Sequence, residues 1–121
     1  MDIADITKRM RREREFWVEV GPGKRLKLLR PFVTDTGVIY IDGKFSLDAT
    51  CELCLVGWDG IVESDLFASG GAEPVDYSHA LASAALRDNF AWGFAVAKGI
   101  DAALGARMKA TAEAEKNSEP T

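Results

Sequence analysis

Two strand-forming runs, EFWVEV (15–20) and KRLKLLRP (24–31), stand either side of Gly-Pro-Gly at 21–23. Their β-branched and aromatic residues favour extended backbone, and the residues between them favour a turn. Pro31 lacks an amide donor and closes the second run. The pair predicts a β-hairpin, which constrains the rest of the chain more than any other feature. A two-stranded hairpin is marginal in water unless its apolar face is covered. The cover has to come from the remaining sequence, which is largely helical in pattern. A second hairpin is predicted within GVIYIDGKFSL (37–47), around Asp42-Gly43. That dipeptide suits a two-residue turn in which both φ angles are positive.

Three helices are predicted after it. Ser46 is placed to cap SLDATCELCLVG (46–57), and Asp48 lies in the first turn, where the helix dipole favours an acid. Gly57 is read as the stop of this helix, with Trp58 folding back over the core and Gly57 and Gly60 freeing the backbone to turn. Asp76 or Ser78 caps a helix over 77–87, and Asp88 caps a long one within 89–117. In the long helix Phe90, Phe94, Ala97, Ile100, Leu104 and Met108 recur at helical spacing. Gly93, Gly99 and Gly105 each weaken it by about 1 kcal/mol relative to Ala, which points to close approach of another element. The chain reads as α+β: a small antiparallel β-sheet, from the N-terminal hairpin and a candidate second hairpin, packed against about three α-helices. Residues 1–14 form a basic arm or short helix, 15–109 a single α+β domain, and 110–121 a tail expected to fray.

A chain of 121 residues with 47% hydrophobic residues can bury one core without disulfides or metals. No apolar run approaches a membrane span, and MDIADITKRMRRERE is charged where a signal peptide is apolar, so a cytoplasmic protein is expected. Residues 1–30 hold nine Lys/Arg against five Asp/Glu, whereas residues 31–121 hold six against fourteen. The basic run KRMRRER (8–14) is short and has no interleaved aromatic, so a nucleic-acid partner is the lesser reading. Cys51 and Cys54 form a CxxC inside an apolar helical pattern, with neither a second CxxC nor more than one histidine to complete a zinc site. They read as buried, reduced thiols. The acids from Asp59 onward fail the calcium-loop pattern, which would need oxygen ligands at Ile61 and a glycine at Ser64. His79 stands alone, and neither a nucleophile elbow nor a phosphate-binding loop is present. No catalytic residue, cofactor or metal is expected.

The order GKRLKLLRP, then LVGWDGIVESDL, then EPVDYSHAL resembles a group of small phage and prophage tail-region proteins, often taken as tail-assembly-chaperone-like. In that group a basic strand ending in Arg-Pro precedes a Val-Gly-Trp-(Asp/Glu)-Gly motif with Glu-x-Asp-Leu behind it. Val62 stands here where the pattern carries Thr, and the GVIYIDGKF segment is particular to this chain. The resemblance implies a non-enzymatic protein that binds a tail component, such as the tape-measure or tail-tube protein. Trp58, Asp59, Glu63 and Asp65 then become candidates for a docking face. Trp92, Phe94 and Ile100 become candidates for a helix face held in or against the partner. Two other classes stay open at this level: a virion structural protein, as a head–tail connector or tail-completion subunit, and a small nucleic-acid-binding regulator.

Overall fold

A computed structural model describes residues 2–118 and is α+β. Helix α1 (Ile3–Arg14) begins at Asp2, whose side chain accepts from the Ala4 amide, and it buries none of its residues. It leads into strands β1 (Glu15–Gly21) and β2 (Lys24–Leu29), paired antiparallel as the sequence predicts. After a 3-10 turn (Val33–Asp35) come the short helix α2 (Thr36–Ile39) and the two-residue strands β3 (Tyr40–Ile41) and β4 (Lys44–Phe45). Asp42 (φ 53°) and Gly43 (φ 76°) make the turn between them, so the second hairpin exists. It does not extend the main sheet: β3 and β4 pair only with each other.

The third strand of the main sheet comes from elsewhere. Helix α3 (Leu47–Cys54) is capped by the Ser46 hydroxyl, as expected, but ends three residues before Gly57. Leu55–Asp59 is strand β5, antiparallel to β2, giving the order β1-β2-β5. Gly57 is therefore not a helix stop, and Trp58 lies in a strand rather than at a helix corner. Gly57 faces Lys27, and a Cβ there would come within 3.3 Å of the Lys27 Cβ. The glycine serves close strand approach. Edge pairing with β2 outweighed the apolar helical pattern that continued through Val56.

Helix α4 (His79–Arg87) is capped by Ser78, and α5 runs from Phe90 to Ser118. Asn89, not Asp88, supplies the cap of α5: its side chain accepts from the Trp92 amide at 3.2 Å. Helix α5 packs on β1, α4 on β5, and α3 on β2 and β5. The core combines Val18, Leu26 and Leu28 from the sheet with Cys54, Leu86, Val96 and Ile100 from the helices. Each such aliphatic side chain contributes about 1.5–3 kcal/mol when fully buried. The buried stripe of α5 is Trp92, Val96, Ile100 and Leu104. The helical period is as predicted, with Ile100 and Leu104 buried, but the ends of the expected stripe are not: Phe90, Phe94 and Met108 point outward, 93%, 61% and 57% exposed. Gly99 sets the phase, because it meets Val18 and Phe16 of β1 where a Cβ would lie 2.6 Å from Val18 Cγ2. Gly105 meets nothing. The helix continues through 110–118, where fraying was expected, with every side chain to residue 117 exposed. Loss of apolar residues marks the end of packing there, while Ala, Glu and Lys sustain the helix. The remainder of the expected tail, 119–121, lies outside the described residues.

Candidate functional site: an apolar groove beside the Trp58 loop

The residues of LVGWDGIVESDL and EPVDYSHAL build one closed loop. Gly60 has φ +77°, and a Cβ on it would sit 2.0 Å from the Gly23 carbonyl oxygen, so only glycine lets the chain leave β5 past the hairpin turn. The chain then forms a 3-10 turn, Glu63–Asp65. Val62 is its N-cap and makes no side-chain cap bond, while its amide donates to Asp65 Oδ2 at 2.8 Å. Lys24 Nζ reaches both Asp65 oxygens, at 2.6 and 2.7 Å, and ties the turn to the start of β2. Burial raises the Asp65 pKa, but the Lys24 ammonium and the Val62 amide outweigh it and hold the carboxyl below its ordinary value.

The return of the loop is equally fixed. The Glu63 amide donates to Glu73 O, that of Ser64 to Gly71 O and that of Val75 to Ile61 O, each at 3.0 Å. Trp58 Nε1 donates to Val75 O at 2.8 Å, and its ring meets Tyr77 edge-on at 5.8 Å. Tyr77 Oη donates to Leu55 O at 3.2 Å, and His79 Nδ1 lies 3.2 Å from both atoms. Trp58 thus clamps the loop, and the lone histidine belongs to the same clamp.

The loop carries Leu66 and Phe67 to the side of α4. With Leu81, Ala84, Ala85, Arg87 and Asp88 they line an open groove of about 520 Å³. Phe67 is 51% exposed and Leu81 39%. The lining is mostly apolar, with Arg87 and Asp88 as its charged members.

The sequence-derived candidates separate clearly. Asp59 is exposed and 3.5 Å from Arg25; Glu63 is half-buried at the start of the 3-10 turn; Asp65 is engaged by Lys24. Phe94 is exposed, with Lys98 Nζ 5.6 Å from its ring centre. Trp92 and Ile100 are buried core residues, so they offer no docking face in this fold. Phe67 and Leu81 went unremarked in the sequence, although Leu81, one residue before the buried Ala82, signals a second apolar edge on α4. Cys51 and Cys54 are free and buried, and burial pushes both thiols up, Cys54 to about 11. Among the described residues, no three His, Cys, Asp or Glu side chains are grouped to hold a metal ion, and no helix is long and apolar enough to cross a membrane.

The outer sheet face holds a further exposed aromatic, Trp17. Arg25 lies 3.9 Å above its ring, and the flanking charges are matched, Lys27 with Glu15 at 3.1 Å and Arg25 with Asp59. That face carries little net field for a charged partner. Comparison with protein-family models, curated proteins and solved structures returned no match.

Proposed function

We propose that this is a non-enzymatic phage or prophage accessory protein that assists tail assembly by binding a tail component in the bacterial host cytoplasm. The observation that carries the reading is the open apolar groove of Leu66, Phe67, Leu81, Ala84 and Ala85. Leu66 and Leu81 are the last residues of the LVGWDGIVESDL and EPVDYSHAL segments that resemble small tail-region proteins, and the other lining residues follow them in the chain. Phe67 and Leu81 are the exposed apolar side chains of the groove and are available to a partner's apolar side chain. A tape-measure protein is a long helix with apolar faces that aggregate before the tube forms. A groove that receives one such side chain, with exposed Phe90 and Phe94 nearby in sequence, suits transient holding by helix-in-groove contact. Asp65 supports the loop that leads to the groove, so its role in this reading is structural. The test is affinity capture of the tagged chain from cells after prophage induction, with mass spectrometry. Recovery of the tape-measure or tail-tube protein is the expected result. Incorporation of the chain into purified particles would favour the connector or tail-completion reading instead.

A further inference from the structure

We infer that Arg14, Arg30 and Arg107 form a binding site for a phosphate group in the recess where α1, β2 and α5 meet. The three guanidinium groups come from three separate elements, and all line two adjoining cavities of about 320 and 350 Å³. Two of them are held in place by the protein. Arg14 Nε donates to Arg30 O at 2.9 Å and its guanidinium lies 3.7 Å over the Phe32 ring; Arg30 Nη1 donates to Pro31 O at 2.7 Å. Among the described residues, no ion pair joins any of the three to a carboxylate. Glu13 lines both cavities and Glu15 one of them; Glu13 lies 3.4 Å from Arg9 in an exposed pair, Glu15 lies 3.1 Å from Lys27, and Asp35 acts on Arg14 through the general field. Burial first, then the positive charges of Arg107 and Arg14, lower the pKa of Arg30. Met10, Phe32 and Val33 complete the lining of the second cavity. A carboxylate carries one charge and is satisfied by one bidentate arginine, whereas phosphate carries nearly two and offers three acceptor oxygens. Three guanidiniums lining one recess match the second. This site lies apart from the groove and does not depend on its function.

The test is an NMR titration of the full chain with sodium phosphate, observing arginine Nε–Hε signals against sodium chloride at matched ionic strength of about 0.15 M. Saturable shifts at Arg14, Arg30 and Arg107, absent for Arg9 and Arg87, are expected. Arg107→Gln, at an exposed helical position, should weaken binding by at least about tenfold with an unchanged circular dichroism spectrum, and Arg107→Lys should restore part of it. A short oligothymidylate supplies the second arm. If it displaces phosphate and its affinity falls steeply with salt, the site takes a nucleic-acid backbone phosphate; if it does not compete, the site takes a small free phosphate. Equal responses to phosphate and chloride, or unchanged phosphate affinity in Arg107→Gln, would overturn the assignment.

Discussion

At the scale of single residues, the glycines divide by what surrounds them. Gly60 combines φ +77° with backbone contact to Gly23. Gly60→Ala is therefore expected to destabilise the protein by about 2 kcal/mol or more in urea unfolding, because strain and a backbone clash act together. Gly105 is helical with open space around it, so Gly105→Ala should stabilise by about 0.5–1 kcal/mol in the same experiment. Asp65 sets a pH signature. Its folded pKa is depressed, so the stability it supplies is complete above the unfolded value of about 3.9 and is lost as pH falls through the folded value. Asp65→Asn should cost about 1–3 kcal/mol at neutral pH, and the difference from the parent chain should shrink steadily in acid. The buried thiols give a third expectation. With Cys54 at about 11 and Cys51 also raised, both should resist iodoacetamide at about pH 8 in the native protein and react promptly in denaturant.

At the scale of elements, helix α5 has two faces with opposite roles. Ile100→Ser places a hydroxyl in the core and should lose about 3–5 kcal/mol, with a large fall in thermal midpoint. Phe94→Ser changes an exposed position and should leave the midpoint nearly unchanged. The contrast also marks where the sequence was legible. Turn chemistry identified both hairpins, because Gly-Pro-Gly and Asp-Gly act locally, and Ser46 and Ser78 were readable as caps for the same reason. The ends of the buried stripe of α5 were not readable, since its phase depends on Gly99 meeting Val18, eighty-one residues earlier in the chain. Strand β5 was hidden in the same way. Leu55–Asp59 continues an apolar helical pattern, and only its pairing with β2 makes it a strand. The groove was not legible either, because Phe67 and Leu81 come to line one pocket only after the loop closes on Trp58.

At the scale of the whole molecule, a three-stranded sheet is covered on one face by helices, and a clamped loop adds an unfilled apolar groove at the edge of α4. The central claim is that this groove holds a tail component before assembly. Co-expression measures it most directly: the soluble fraction of the tape-measure protein with the parent chain, compared with a Phe67→Ser/Leu81→Ser variant of native circular dichroism. Both positions are partly exposed, so the variant should fold. The account predicts that the parent chain keeps the tape-measure protein soluble and co-purifies with it, and that the variant loses both effects. Equal solubility with parent and variant, or none with either, would contradict it.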